Sequence, residues 1–496
     1  MTSSVNAITQ QIYEIPEYLN DSKAIKDFLY KNKGKKVVVV QGLGFVGAVM
    51  SLVCANAIGE EYAVIGVDLA NEQSFWKIRS INDGTFPLIA EDPKIDKFYK
   101  KAMQQGNLMA TYDPMAYQFA DIIIVDINLD VLKFSDEKAA LRNFDVDLES
   151  FKSAVRSIGK NCRDDVLVLV ETTVPPGTCN KIVKPIIEEE LNYRGLGTQK
   201  LKLGHSYERV MPGPDYIDSI REFPRVYSGV CKKSADEVEN FLKTIIDISS
   251  CSLTRLKTTN ASEMAKVLEN AYRAMNIAFV VEWSRFAEEM EVNLYEIVNA
   301  IRVRETHNNL MYPGIGVGGY CLTKDPLLAS WSRKVFFNSD SDLSMSVGSV
   351  STNDQMPVFA FNRLVSIFGP LKNKKIICLG VSYRSELGDT RFSPVETFSN
   401  MIKKTGSIVK FHDPYVSYWL EQACDVEQDL STIFEFCPDL IIISTGHSLY
   451  KSENSIEKIM ALAPCQIFDT VGLFDDEQII TLKTKHSVSV LGRGDI

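Results

Sequence analysis

Residues 314 to 325 read Gly-Ile-Gly-Val-Gly-Gly-Tyr-Cys-Leu-Thr-Lys-Asp, so a thiol, a cation and a carboxylate fall within one short stretch. Glycines at 314, 316, 318 and 319 permit tight turns and a close approach of backbone to a ligand. Cys321 has Lys324 three positions on and Asp325 four positions on. A neighbouring positive charge favours the thiolate, the form that attacks carbonyl carbon. Two readings stand at this point: a nucleophile with its proton-handling partners, or a glycine loop with an incidental cysteine, since most free cysteines behave as small buried hydrophobes.

A second chemical signature lies near the start. Gly42-Leu-Gly44-Phe45-Val46-Gly47 follows the apolar run Lys36–Gln41 and opens an apolar helical stretch reaching about Ala57. The next strand, Tyr62 to Asp68, ends in an acid 21 residues beyond Gly47. Strand, glycine turn, helix and acid-terminated strand form the dinucleotide fingerprint in its required context. The glycines admit a pyrophosphate, and the helix N-terminus offers N–H groups and the positive end of its dipole. Asp68 is placed to hold ribose hydroxyls and to repel a 2′-phosphate, so NAD is expected rather than NADP.

Further polar positions punctuate the apolar rhythm. Thr172-Thr173-Val-Pro-Pro-Gly-Thr178 follows a strand at 166–170, where ligands of open α/β sheets collect. His205-Ser-Tyr-Glu208-Arg-Val-Met-Pro-Gly213 carries a glutamate that suits either a water-positioning role or a surface ion pair. Ala261 to Glu291 is free of Gly and Pro and predicts one long helix. On it Lys266 and Asn270 stand at i and i+4, two donors suited to an oxygen that turns negative during addition to a carbonyl. Met264, Leu268, Tyr272, Met275 and Phe279 are spaced for packing on that helix.

Positioning these groups takes an α/β chain. Strands are predicted at 121–125, 166–170, 375–379, 407–411 and 439–444, with a short helix at 21–31 and a longer one at 345–368. The fold expected is two Rossmann-like doubly wound sheets joined by a central helical region with a long helix. Its boundaries are an N-terminal extension at 1–34, an NAD-binding Rossmann domain at 35–245, a central helical domain at 246–368 and a C-terminal domain at 369–496, the last two given their roles only by the resemblance described below, as dimerisation and nucleotide-sugar-binding domains. Asp389-Thr-Arg391-Phe-Ser-Pro394 is a polar turn before a helix, suited to a phosphate or to domain packing.

Composition narrows the classes. With 496 residues and 45% apolar content, the chain has core enough for about three domains. Lysines and arginines number 54 against 64 acids, a net charge of −10 without long single-sign blocks, which argues against a nucleic-acid partner. Ten scattered cysteines without a CxxC pair fit a reduced compartment and neither a disulfide framework nor a metal site. No apolar signal core opens the chain and no run of about 18 apolar residues occurs, so a soluble cytoplasmic protein without a membrane partner is expected.

Taken together the motifs resemble the UDP-glucose/GDP-mannose dehydrogenase family over about residues 36–475. The resemblance is carried in order by GLGFVG, TTVPPGT, the Glu208 segment, Lys266 with Asn270, GVGGYCLTKD, Asn353-Asp-Gln-Met-Pro357 and Tyr383-Arg384-Ser-Glu-Leu-Gly-Asp-Thr-Arg391-Phe-Ser-Pro394. It implies oxidation of the C6 alcohol of a nucleotide sugar to a uronic acid with two NAD per turnover. The implied catalytic set is Cys321 as nucleophile, through a thiohemiacetal and a thioester, Lys266 and Asn270 at the oxyanion, and Asp325 with Glu208 for protons and water. It also assigns Thr173 and Lys324 to the cofactor. Glu208, Lys266, Asn270, Tyr312, Gly316, Gly318, Arg384 and Arg391 go to the substrate, and a long central helix to a homodimer or higher homo-oligomer.

The sequence departs from the family pattern in places. Asp126-Ile-Asn-Leu129 replaces a threonine-bearing turn, leaving Asn128 or Glu208 to manage water, and Val471 stands where an arginine is common. Arg384 stands where the family usually has lysine. The sugar is left as UDP-glucose or a UDP-N-acetylhexosamine. The alternatives are a GDP-mannose 6-dehydrogenase, a single-hydride hydroxyacid dehydrogenase and an inactive scaffold member.

Overall fold

Lys36–Gln41 reads Lys-Val-Val-Val-Val-Gln and is buried from its second residue onward, as a strand covered on both faces must be. In the computed structural model of the chain, which describes residues 2–18, 20–88, 92–210 and 213–496, this strand lies inside an eight-stranded sheet. Tyr62–Val67 and Leu108–Thr111 extend the sheet on one side. Ile122–Val125, Leu167–Val170, Lys202–Tyr207, Arg225–Gly229 and Leu253–Arg255 extend it on the other. All neighbours are parallel except Lys202–Tyr207 against Arg225–Gly229. The antiparallel pair is too polar, and the three-residue Leu253–Arg255 edge strand too short, to read from pattern.

The chain divides into two compact units. The first comprises 1–130, 146–267 and 335–338, and holds the eight-stranded sheet. Its N-terminal segment is part of the packing. A hairpin of Ser3–Val5 with Ile12–Glu14 buries Tyr13, and Asn6 Nδ2 donates to Ser80 Oγ at 2.9 Å. The Ser22–Lys31 helix follows, as expected at 21–31.

The second unit comprises 131–145, 268–334 and 339–496. Its five-stranded parallel sheet runs Ile408–His412, Lys375–Leu379, Leu440–Ile443, Gln466–Asp469, Ser487–Val490. Strand order reverses at Lys375–Leu379, which makes the carboxyl ends of that strand and of Leu440–Ile443 the crevice where such sheets bind ligands. The helix Ser344–Phe368 carries Pro357 in its interior. Residues 131–145 belong to a two-stranded hairpin, Asp130–Ser135 with Leu141–Asp147, that the sequence reading did not foresee. It is held within its unit by Lys133 Nζ on Asp354 Oδ2 at 2.7 Å and Trp331 Nε1 on Asp145 Oδ1 at 2.6 Å.

The long helix spans Thr259–Glu289, 31 residues. Met264, Leu268, Tyr272 and Phe279, expected to pack on it, are instead exposed, together with Trp283 and Phe286. The 3.6-residue period was right, but it marks a second apolar face that this chain does not cover. No helix among the described residues is long and apolar enough to cross a membrane.

Candidate active site

In the first unit the fingerprint turn is set by sterics. Gly42 has φ +96°, and a Cβ there would lie 2.2 Å from the Asp126 carbonyl oxygen. A Cβ on Gly47 would lie 1.9 Å from the Gly42 carbonyl oxygen. Only glycine fits either position, so the turn keeps its backbone bare, as approach of a pyrophosphate requires. Gly44 is the N-cap of the Phe45–Ala55 helix and contributes no side-chain cap. Phe45 is exposed and Val46 half-buried. Asp68 Oδ2 accepts from Leu43 N at 2.9 Å and Oδ1 from Leu69 N at 2.7 Å, which fixes the acid against the glycine turn. This cradle fits the dinucleotide that the sequence predicts.

Beside the cradle, the carboxyl ends of three strands gather acids. Glu171 is fully buried and its Oε1 accepts from Arg225 Nη1 at 3.0 Å. Burial pushes Glu171 up to about 7, with Arg225 opposing and Glu208 adding to the shift. Burial also raises Asp126 well above the usual carboxylate range, with Glu171 and Glu208 next in effect. The Arg225 guanidinium does not offset burial, so Glu171 titrates near neutral pH and Asp126 is pushed in the same direction. Asp126 was read as a departure within a turn; its acid neighbours lie 45 and 82 positions away, and no local pattern connects them.

Thr173, half-buried, lies in the loop after Leu167–Val170. That loop is tied to the 126–129 turn, because Thr172 Oγ1 accepts from Ile127 N at 2.7 Å. Glu208 accepts from Val210 N through Oε2, and its backbone oxygen takes Lys266 Nζ at 2.8 Å. Met211 and Pro212 of that segment lie outside the described residues. His205 is buried with Nδ1 on Ser262 Oγ at 2.8 Å, and burial, then Lys266, push it down to about 3, so the ring is neutral.

In the second unit the thiol loop is held by glycine contacts and by Asp325. Gly316 has φ +143° and Gly319 φ +77°. A Cβ on Gly318 would sit 2.4 Å from Tyr383 Cβ and 2.8 Å from the Phe392 carbonyl oxygen. Gly319 N donates to Arg391 O at 3.1 Å. The loop is therefore laid directly on the 383–394 turn. Cys321 is exposed, and its backbone oxygen accepts from Asp325 N at 2.9 Å as the Asp325–Val335 helix begins.

Asp325 is 1% exposed and receives Lys324 Nζ on Oδ1 at 2.8 Å and Asn270 Nδ2 on Oδ2 at 2.7 Å. Lys324 also stands over the Tyr320 ring at 4.4 Å. These contacts give two residues partners that their spacing does not show. Lys324, read as the cation beside the thiol, is paired with Asp325, and Asn270, read as an oxyanion donor, commits its amide to the same carboxylate. Lys266 and Asn270 keep their i, i+4 spacing but serve different acceptors.

The remaining expected residues also fall in the second unit. Arg384 is exposed in the turn after Lys375–Leu379. That turn is pinned by Asp413 Oδ2, which accepts from Val381 N at 2.9 Å and Ser382 Oγ at 2.8 Å. Arg391 forms a two-point pair with Asp389, Nη2 to Oδ2 at 2.6 Å and Nε to Oδ1 at 2.9 Å. Tyr312 stacks on Tyr295 with centroids 6.0 Å apart and donates to Asn299 Oδ1 at 2.6 Å. Together with Val471, Gly472, Phe474 and Arg493, they line a cavity of about 470 Å³.

A dinucleotide cradle in one unit and a glycine-set thiol beside a locked carboxylate in the other define an NAD-dependent dehydrogenase. Comparison with known proteins gives the family. Residues 35–246, 260–348 and 377–476 match, in turn, the NAD-binding, central and UDP-binding domains of the UDP-glucose/GDP-mannose dehydrogenase family. A UDP-N-acetyl-D-mannosamine dehydrogenase of Pyrococcus horikoshii is 30% identical over 433 residues, 85% of this chain and 93% of that protein. One of Methanococcus maripaludis is 29% identical over 473 residues, 93% of this chain and 97% of that protein. The solved structure of a P. horikoshii UDP-D-ManNAc dehydrogenase superposes with a TM-score of 0.76 at 27% identity, covering 93% of this chain and all of the other.

The chain belongs to the UDP-glucose/GDP-mannose dehydrogenase family. It is a nucleotide-sugar dehydrogenase that uses NAD.

Proposed function

We propose that this enzyme oxidises the C6 alcohol of a UDP-N-acetylhexosamine, with UDP-N-acetylmannosamine the first candidate, to the uronic acid in two hydride transfers. The observation that carries the reading is an exposed cysteine, Cys321, on a loop that glycines press onto the 383–394 turn, its backbone oxygen bonded to the N–H of Asp325, whose carboxylate is fixed by two donors. Bound NAD supplies the hydride acceptor for each oxidation.

The chain's own residues supply the rest. After the alcohol has lost hydride and a proton, the Cys321 thiolate adds to the aldehyde carbon and the oxygen takes up a proton, giving a thiohemiacetal. Loss of the second hydride and that proton leaves a thioester on Cys321. Water then adds, the C–S bond breaks, and thiolate and carboxylate separate; two hydrides leave and one water enters overall. Asp325, with both oxygens accepting hydrogen bonds, stays oriented to take protons. Lys266, whose Nζ donates to Glu208 O at 2.8 Å, is the candidate cation for developing negative charge, and Glu208 the candidate to orient water. Arg384 is the candidate phosphate contact, and Tyr312, Gly316 and Gly318 shape the sugar side.

The sugar assignment leans on the named relatives and on the Gly-Val-Gly-Gly form of the thiol loop. The test is NADH yield with UDP-N-acetylmannosamine, UDP-N-acetylglucosamine, UDP-glucose and GDP-mannose. Two NADH and one uronic acid per UDP-N-acetylmannosamine are expected. One NADH per sugar would end the thioester route, and faster turnover of UDP-glucose would replace the substrate. Cys321→Ser should stop the second oxidation; full turnover in that variant removes the nucleophile.

A further inference from the structure

The opening turns of the Thr259–Glu289 helix act as a clamp on the first unit's loops. Thr259 Oγ1 accepts from Asn180 Nδ2 at 3.0 Å, and Ser262 Oγ meets Ser228 Oγ at 2.7 Å. Next to Ser262, Glu263, 1% exposed, accepts Gly177 N on Oε2 at 2.5 Å and Cys179 N on Oε1 at 2.8 Å. These two N–H groups close the Thr172–Thr178 loop. Thr172 already anchors the loop's start, and Thr178 Oγ1 turns back to Pro175 O at 2.6 Å. Pro175 and Pro176 have no N–H to give and Gly177 is at φ +103°; the backbone turns the loop's end with Thr178 N on Pro175 O at 3.1 Å, and the Gly177 and Cys179 N–H groups go to Glu263.

We propose that Glu263 is a positioning residue for NAD: its buried carboxylate holds residues 172–178, with Thr173 among them, in the conformation that receives the dinucleotide. The proposal rests on the reading that this loop meets NAD. A carboxylate is a costly way to satisfy two amides in a core, since a neutral side chain could serve a surface loop. Each of its oxygens takes one N–H group, an arrangement an amide in the same rotamer breaks by pointing its NH₂ at one of the two donors.

The groups that act on Glu263 are few. Burial pushes it up to about 7, while the Cys179 thiol and the N–H groups of Cys179 and Gly177 hold it down. Cys179 is itself raised by burial and by Glu263, so it stays a thiol. On the helix Lys266 is turned to Glu208 O, and His205, against Ser262, is neutral. As pH falls through about 7 the carboxyl gains a proton, one oxygen becomes a donor, and one of the two N–H groups loses its acceptor.

The experiment is NAD affinity of the full chain by calorimetry across pH 6 to 8.5, for wild type, Glu263→Gln and Asp68→Ala, with kcat and KM for NAD alongside. Wild type should bind NAD more tightly as pH rises. Glu263→Gln should bind roughly tenfold to a hundredfold more weakly at pH 8, with KM for NAD rising more than kcat falls and with a flatter pH profile. A role in stability alone would lower the melting temperature and leave that profile unchanged. If Glu263→Gln fails to fold, Gly177→Ala decides: it strains the same loop from the other side and should weaken NAD likewise. Wild-type affinity in a folded Glu263→Gln, or in Gly177→Ala, while Asp68→Ala is impaired, overturns the proposal alone. Wild-type affinity in all of them overturns the dinucleotide reading with it.

Discussion

Gly318 sets how closely the thiol loop lies on its neighbour. An alanine there would drive a methyl to 2.4 Å from Tyr383 Cβ and 2.8 Å from a backbone oxygen, and the backbone oxygen cannot swing away as a flexible side-chain end would. Gly318→Ala is expected to cost about 1–3 kcal/mol of stability and, by shifting Cys321, to lower kcat more than it changes NAD affinity. Thermal melts and steady-state kinetics on one preparation check both; wild-type kcat would mean the loop tolerates the shift. Asp325→Asn is the electrostatic counterpart. It leaves Lys324, 7% exposed, without its charge partner. Expected are roughly a hundredfold to ten-thousandfold loss of kcat and a lower melting temperature; a fully active Asp325→Asn would remove the carboxylate from proton transfer. Cys321, Lys266, Asn270 and Asp325 were legible because their types and spacing are chemical. Their partners were not. Asn270 meets Asp325 across 55 positions and Lys266 meets Glu208 across 58, and spacing on one helix cannot reveal what each side chain reaches.

Elements with strong periodicity were read within about two residues. Lys36–Gln41 and Lys375–Leu379 stand where the apolar runs place them, and the predicted 345–368 helix spans Ser344–Phe368. What escaped were elements whose reason for existing is non-local: the antiparallel turn of the first sheet, the Asp130–Ser135 and Leu141–Asp147 hairpin, and the buried acids at the strand ends. Buried acids, one at a strand end and one on the long helix, carry a pH signature. Glu171 and Glu263 sit at about 7 in the folded chain against 4.5 for an ordinary glutamate. Between those values the unfolded chain has released protons that the folded chain still holds, so stability falls as pH rises from about 4.5 to about 7. Each group contributes a decline on the order of 3 kcal/mol at most, at about 1.4 kcal/mol per pKa unit. Urea unfolding at pH 5, 6 and 7 should show the decline, and Glu171→Gln should remove its share of the slope. A slope in Glu171→Gln equal to that of wild type would mean that the Arg225 pair keeps Glu171 ionised in both states.

At the scale of the whole molecule, the Thr259–Glu289 helix presents more apolar surface than one chain uses. Leu268, Tyr272, Phe279, Trp283 and Phe286 recur at spacings of three, four and seven, and every one is exposed by 47% or more. Phe279 and Trp283 meet in a tilted pair and Trp283 and Phe286 in a T-shaped one, with centroids 6.1 Å apart at each step, which stiffens the row without covering it. A contiguous aromatic stripe of this kind marks an interface, and a second copy of the helix is the occupant whose surface matches by construction. We therefore expect a homodimer or a multiple of it, with this row at its centre. Each aromatic buried there would contribute about 25 cal/mol per Å² removed from water. Sedimentation velocity is the measurement. Wild type should sediment as a dimer or larger, and Phe279→Asp with Trp283→Asp as a monomer with unchanged circular dichroism. A wild-type monomer, or an undiminished oligomer in the double variant, would assign the stripe some other role and leave the period of the helix, legible from the start, without its explanation.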